Sequence, residues 1–246
     1  DMHTGHPGGA RLHRAQVACS IPPSRSAVRR RCFDAGREIP RDTDAGAIAQ
    51  LQFRFPVFLG GPSIDAHHVR QLLFVLEELK PRVILELGSG TSTVIVARAL
   101  QALGYPPEMH IAVDHDARYL RNTIQLARVN GVEQFVRFEH CPLAPVPGYT
   151  LPWYSDVPDR IGRAQIDLVI VDGPPAYEPG KERSREPALP VIRSFLSERA
   201  VVILDDANRE AEGRILERWL QDYPEFSLTR VREGKGVAIL TLREQR

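Results

Sequence analysis

The sequence predicts an α/β domain, a doubly wound and mostly parallel sheet of seven strands with helices on both faces. Three observations carry this. Short, mostly apolar runs such as VILEL and IDLVIV recur without the alternation of a half-exposed strand, as strands covered on both faces do. Segments of helical periodicity separate them, the rhythm of strand–helix–strand units around a parallel sheet. The chain then closes with FSLTRVRE and GVAILTL about a Gly-Lys-Gly turn, which reads as a β-hairpin and adds one antiparallel strand.

The elements follow in order. From Ser63, Val69, Leu72, Leu73, Leu76 and Leu79 recur at helical spacing until Pro81 stops the run. RVILELG is the first strand, and a helix from about Thr91 closes at Gly104. HIAVDHD is the second strand, and Asp116 is placed to cap a helix whose apolar face includes Leu120, Ile124 and Ala127 and which ends at Asn130-Gly131. QFVRFEH is the third strand. Cys141 to Gln165, with five prolines and Trp153-Tyr154, has no usable periodicity and is expected to be an irregular, functional or disordered loop. IDLVIVDG is the fourth strand; a second loop, GPPAYEPGKERSRE, leads to a helix over about Ala188–Leu196. RAVVILDD is the fifth strand. The next helix, about Asn208–Gln221, turns Ile215, Leu216, Trp219 and Leu220 inward and stops before Pro224.

Bulk properties narrow the function. At 246 residues the chain suits one good-sized domain. A net charge of +1 argues against nucleic acid or an anionic membrane as partner, and no apolar run approaches the roughly 18 residues that span a bilayer. Cys19, Cys32 and Cys141 are odd in number and far apart, which is neither a disulfide framework nor a zinc cluster and fits a reducing cytoplasm. Residues 1–45 are set apart from the domain expected over 46–246. They hold Arg29-Arg30-Arg31 and scattered Gly, Pro and Ser, with no acid between Met2 and Phe33. Such a stretch reads as a disordered tail or upstream extension, with a transit peptide or a phosphate-touching arm as alternatives. His3, His6 and His13 in it are read as solvated.

In doubly wound sheets ligands sit outside the carboxyl ends of the strands, at the switch point. The strand ends that carry acids therefore converge on one crevice. The first of them, VILELGSGTST (Val83–Thr93), turns through Gly88 and Gly90, residues that permit a tight strand-to-helix corner and a close approach of ligand to main chain. A dinucleotide fingerprint needs a third glycine where Thr93 stands, and no Gly-Lys-Ser/Thr follows to make a P-loop.

With Glu86 ahead of glycines at every second position and Ser92 in the third slot, E-L-G-S-G-T-S resembles the first motif of the class I S-adenosylmethionine-dependent methyltransferases. The resemblance covers about residues 60–243, closing hairpin included. More narrowly, VDGPP, REPALP and LDDANR look like a bacterial group of small methyltransferase-domain proteins. The resemblance implies a Rossmann-like sheet and S-adenosylmethionine as cofactor. It further implies Glu86 setting the turn and anchoring the methionine amino group, and Gly88, Ser89 and Gly90 lining the cofactor with main chain. Asp114 would accept from both ribose hydroxyls, as an acceptor-only carboxylate can; a helix-start acid is its blander reading. The adenine contact falls at Glu139-His140, and His140 is carried as a cofactor-binding residue.

Asp172, after the fourth strand, takes the place the family uses beside the reacting methyl, with Asp205 as a second catalytic candidate. Asp172, Asp205 and Asp206 also resemble the ligands of the divalent-metal O-methyltransferases, with Asn208 two places on, and such oxygen ligands suit Mg²⁺. Capping and substrate hydrogen bonding are the alternative for these acids. Trp153, Tyr154 and Tyr177 could wall an acceptor, and Lys181, Arg183 and Arg185 could hold an anionic one; ordinary packing for the aromatics and solvation for the cations stand beside those roles. His115 and His140 are candidate bases or structural histidines, and His67-His68 is read as helix surface. A small-molecule acceptor methylated at oxygen is favoured. No basic stripe with interleaved aromatics is present, and the fourth strand ends in Asp-Gly-Pro-Pro rather than an Asn-Pro-Pro-Tyr-like motif. The rivals are a metal-dependent hydroxylase or hydrolase on the same scaffold and a non-catalytic nucleoside-binding module.

Overall fold

The computed structural model describes residues 51–61 and 63–243. The basic segment expected over 1–45, with its histidines and with Cys19 and Cys32, lies outside the described residues. Helix α1 (Ala66–Leu79) opens at Asp65, whose side chain accepts from the His68 amide, and ends at Lys80, where φ of 47° breaks the helix just ahead of Pro81. β1 (Val83–Leu87) turns into α2 (Thr91–Ala102), and β2 (Met109–Asp114) leads to α3 (Ala117–Val129). Asp116 caps α3 through the amides of Arg118 and Tyr119, the role its position predicts. β3 (Arg137–His140) follows a single 3₁₀ turn at Glu133–Phe135.

The stretch without periodicity after β3 is not structureless. β4 (Leu143–Ala144) pairs with β5 (Trp153–Tyr154), and a short helix, α4 (Val157–Ile161), follows. Two-residue strands are too brief to leave a periodic trace in the sequence. Burial of Trp153 and Tyr154 anchors this segment instead. β6 (Ile166–Val171), α5 (Ala188–Ile192), β7 (Leu196–Asp205), α6 (Glu210–Asp222), β8 (Phe226–Val231) and β9 (Val237–Leu242) complete the described chain. The helix expected to reach Leu196 gives way after Ile192 to a 3₁₀ turn, and Leu196 already belongs to β7.

Seven of the described strands form one sheet in the order β3-β2-β1-β6-β7-β9-β8, antiparallel only where β9 meets β7 and β8. The order reverses between β1 and β6, whose carboxyl ends align with Leu87 opposite Val171. The Asp172 amide donates to the Leu87 carbonyl at 2.9 Å, so the sheet stays closed up to the mouth of the crevice.

Two apolar layers cover the sheet. Leu85, Val169 and Val202 face α5 and α6 with Trp153 and Trp219, while Ile84, Leu168 and Ile203 face α1 and α2. Among the described residues no helix is long and apolar enough to cross a membrane.

Leu85 is wholly buried on β1, an interior strand of the sheet. Leu85→Ala is expected to cost about 2–5 kcal/mol through lost transfer energy and the cavity left behind, read as a lowered midpoint in urea denaturation at unchanged slope.

Candidate active site

The turn leaving β1 is shaped by the protein's own side chains. Successive residues of a strand point to opposite faces, so Glu86 follows Ile84 toward the layer beneath α2. There Oε1 meets His110 Nε2 at 2.5 Å, and Oε2 accepts from Ser92 Oγ at 2.9 Å and Thr93 Oγ1 at 3.3 Å. The carboxylate is fully enclosed, with both oxygens engaged by these side chains. It pins the first turn of α2 to the sheet. The hydroxyl-rich run after Gly90 exists for this bond and for the Gly90 amide, which donates to Thr93 Oγ1 at 3.1 Å.

The two glycines do different things. Gly88 has φ of +97°, and a Cβ there would lie 3.0 Å from the Asp172 carbonyl carbon and the Gly173 nitrogen. The neighbouring strand end by itself demands this glycine. Among the described residues, a Cβ at Gly90 would come within 4 Å only of the Tyr119 ring, at 3.7 Å from its hydroxyl. The missing side chain of Gly90 therefore leaves a slot over the main chain, bordered by a half-exposed tyrosine.

Asp114 ends β2 and ties the slot down. Its Oδ2 accepts from the Ser89 amide at 3.0 Å and Ser89 Oγ at 2.9 Å, and Oδ1 from the Asp116 amide at 3.0 Å. Burial would raise its pKa, but the His115 ring and the amides of Asp116 and Ser89 outweigh that and hold it below the usual carboxylate range. With three of about four lone-pair positions taken and His115 Nδ1 3.4 Å from Oδ1, the carboxylate has room for at most one further donor unless Ser89 lets go. His140 lies opposite Asp114 in the β2–β3 register, exposed, with its Nε2 3.0 Å from the His115 carbonyl. Glu139 is ion-paired with Arg137 and Arg160, turned from the crevice.

Across the switch point, Asp172, Asp205 and Asp206 converge as the sequence predicts, one ligand atom of each lying within 4.8 Å of the others. A guanidinium stands among them. Arg185 Nη2 donates to Asp172 Oδ1 at 2.9 Å and to its carbonyl at 3.1 Å, while Nη1 donates to the Asp205 carbonyl at 3.1 Å and lies 3.2 Å from Asp206 Oδ2. Glu212 Oε1 sits 3.6 Å away from both Arg185 and Arg209, and Arg209 also reaches Asp206 at 2.9 Å.

Asp205 points to the opposite face, where its Oδ1 meets His68 Nδ1 at 2.7 Å; His68 Nε2 is buried without a hydrogen-bond partner among the described residues. Burial opposes charge on His68, yet Asp205 outweighs it and raises the imidazole pKa. In return, burial of Asp205 is overcome by His68, which holds that carboxyl well below the usual range. Asp172, whose side chain is 28 % exposed toward the crevice, is pushed up to about 7 by burial and by the Asp205 charge, with Arg185 pulling the other way.

The cluster therefore holds four carboxylates against two guanidiniums and one imidazole. Unit charges 4 Å apart interact by about 4 kcal/mol at an effective dielectric near 20, so a dication beside this guanidinium meets a repulsion of roughly twice that, set against the pull of the acids. The carboxylate oxygens it would need are already engaged by Arg185, Arg209 and His68.

The other expected residues are placed as follows. Trp153 and Tyr154 are core residues, in the packing role rather than an acceptor wall, with the Tyr154 hydroxyl buried and without a hydrogen-bond partner among the described residues. Tyr177 is exposed, and Lys181 and Arg183 pair with Glu178 and Glu186. Asn208 donates to the carbonyls of Arg232 and Gly234, which holds the β8–β9 turn. Two surface hollows of about 380 and 420 Å³ lie along α6 and contain none of Asp114, Asp172, Asp205 or Asp206.

Two residues were misjudged from sequence. His68, expected on the helix surface, is buried against Asp205. Arg185, expected in solvent or on an acceptor, is 3 % exposed at the centre of the acids. Neither has a local signal, because their partners lie 137 and 13 or more residues away in the chain.

A family model described as a methyltransferase domain matches residues 85–207. No curated protein matches the chain. Among solved structures, the SAH-bound Podospora anserina methyltransferase PaMTH1 is similar at 14 % identity and TM-score 0.56, over 85 % of this chain and 90 % of that one. The Bacillus cereus O-methyltransferase in complex with SAH is similar at 16 % and 0.56, over 83 % and 93 %. TomG from Streptomyces achromogenes, an O-methyltransferase in complex with SAM, is similar at 18 % and 0.54, over 85 % and 93 %. At these identities the likeness speaks for the fold.

Two outcomes follow from this geometry. Gly88→Ala is expected to lose about 1–3 kcal/mol by strain at positive φ and contact with the Asp172 main chain, seen as a fall in melting temperature. For Asp172 the folded pKa of about 7 lies above an unfolded value near 3.9. The folded state then binds more protons between these values, so stability falls as pH rises across that window. Asp172→Asn is expected to flatten this slope in denaturant titrations at pH 5 and pH 8, gaining on the wild type only at the higher pH; equal differences at both would contradict it.

Proposed function

The chain belongs to the methyltransferase-domain family, and from that premise we propose that it binds S-adenosylmethionine at the β1–β6 switch point and transfers the methyl group to an oxygen of a small-molecule acceptor. The observation that carries this reading is the β1 turn itself, where bare Gly90 lies beside Tyr119, Ser89 is tied to Asp114, and Gly88 packs on the Asp172 main chain. A bare main chain beside a half-exposed aromatic ring accepts a flat, hydrogen-bonding adenosyl group. Solved structures of the same fold, the Bacillus cereus enzyme and TomG, are titled as O-methyltransferases in complex with SAH and SAM.

When bound, S-adenosylmethionine supplies an electrophilic methyl group on a sulfonium, and an in-line displacement depends above all on positioning. Asp114 would take one ribose hydroxyl with its remaining acceptor position, and both only if Ser89 shifts. His140 borders the same end of the slot and is proposed to flank the adenine. Gly88 and Ser89 set the path of the main chain.

An oxygen acceptor must lose its proton, and Asp172 is the carboxylate that faces the crevice. Its carboxyl titrates near neutrality, where a general base is most effective. Arg185 fixes one of its oxygens at 2.9 Å and leaves the other for the acceptor. Asp205 acts from behind: enclosed and bonded to His68, it shapes the field at Asp172 and does not reach the acceptor.

Calorimetric titration with S-adenosylmethionine and S-adenosylhomocysteine tests the reading. Micromolar binding, on the order of −8 kcal/mol, is expected for the wild type and loss of measurable binding for Asp114→Ala. Undiminished affinity in that variant removes the ribose assignment, and no binding by the wild type removes the cofactor.

A further inference from the structure

We propose that Arg185 is the resident cation of the acid cluster: its guanidinium occupies the place between Asp172 and Asp206 that a divalent ion would need, and the site works without metal. The three aspartates have the spacing of a cation site, with one oxygen each inside 4.8 Å. Their charge is already answered. Asp172 and Asp206 face the two terminal nitrogens of Arg185 at 2.9 and 3.2 Å, Glu212 stands behind at 3.6 Å, and one oxygen of Asp205 is taken by His68 at 2.7 Å.

The guanidinium is also held in place, not merely attracted. Its two terminal nitrogens donate to the main-chain carbonyls of Asp205 and Asp172, the last residue of β7 and the first beyond β6. Those carbonyls keep their position whatever the carboxylates do. The segment carrying Arg185 is fastened in turn, since Trp219 Nε1 donates to the Glu186 carbonyl at 2.8 Å and the Ala188 amide to the Arg185 carbonyl at 3.1 Å. With its side chain 4 % exposed, Arg185 leaves no room at the centre for an ion that keeps several waters in octahedral geometry. A guanidinium is always charged and offers a planar fork of donors, so it neutralises and orients two carboxylates without being lost to a chelator. Arg185 is thus a positioning residue for Asp172, and the claim concerns cation occupancy alone, independent of the acceptor.

The test is Mn²⁺ binding by the full chain after chelator treatment, read from the six-line electron paramagnetic resonance signal of free Mn²⁺. Wild type is expected to leave that signal unchanged. Arg185→Ala, with the cluster's central charge removed, is expected to quench it with an affinity at least tenfold above wild type, and its melting temperature is expected to rise with added Mn²⁺. Arg185→Lys, which keeps a charge, is expected to remain without quenching. Should Arg185→Ala fail to fold, Arg185→Gln, which keeps part of the stem, is read in the same way. Quenching by wild type that Asp206→Asn abolishes would overturn the proposal. So would the absence of binding in both uncharged variants, since the guanidinium would then be holding no cation's place.

Discussion

One guanidinium joins the ends of two strands to the helix layer beneath them. Arg185 donates to main-chain oxygens at the carboxyl ends of β6 and β7 and to carboxylates that follow each. Without it, Asp172, Asp206 and Glu212 would face one another in a largely buried space, where like charges resist being ionised together. Removing one partner of a buried pair generally costs about 3–5 kcal/mol, because the charge left behind has no solvent to turn to. The mouth of the crevice therefore owes its shape to a side chain whose own segment has no regular structure, and that segment owes its position to Trp219.

The same logic repeats on the other side of the switch point with imidazole, hydroxyl and amide partners. Glu86 is enclosed by His110, Ser92 and Thr93, and Asp114 is enclosed by Ser89 and the Asp116 amide. Each acid at a strand end is thus bound to the turn of its neighbour, and the crevice is pre-organised before any ligand arrives. What stays open is small: the slot over Gly90, one acceptor position on Asp114 and the crevice-facing oxygen of Asp172. A site of this kind has little to rearrange on binding, which is how a displacement reaction gains most from its enzyme.

The division between a floor of spent acids and an opening of unspent ones also explains why the acids are so many. Asp205 and Asp206 are adjacent in sequence but serve opposite faces of the sheet. Asp205 follows Ile203 toward α1 and His68; Asp206, at φ of 58°, turns back to Arg185 and Arg209. A pair that resembles a chelating unit in the sequence thus answers to different partners, although one oxygen of each lies within 4.8 Å of the other.

The sequence by itself determined the sheet, its helices and the location of the crevice. Those follow from short-range physics: apolar runs that must be covered on both faces, helical spacing in Val69–Leu79, a capping Asp116, and glycines at a corner where no side chain fits. The family was legible too, because the β1 turn is one contiguous stretch. Tertiary structure alone decided which partners each acid takes. Glu86 and Asp114 sit at similar strand ends, and only the folded chain ties the one to His110 and the α2 turn and the other to Ser89. His68 and Arg185 belong to the site through neighbours far along the chain, and the brief β4–β5 ladder is held by aromatic burial. Charge pairing acts through space, and no spacing of residues along the chain encodes which pairs the fold will bring together.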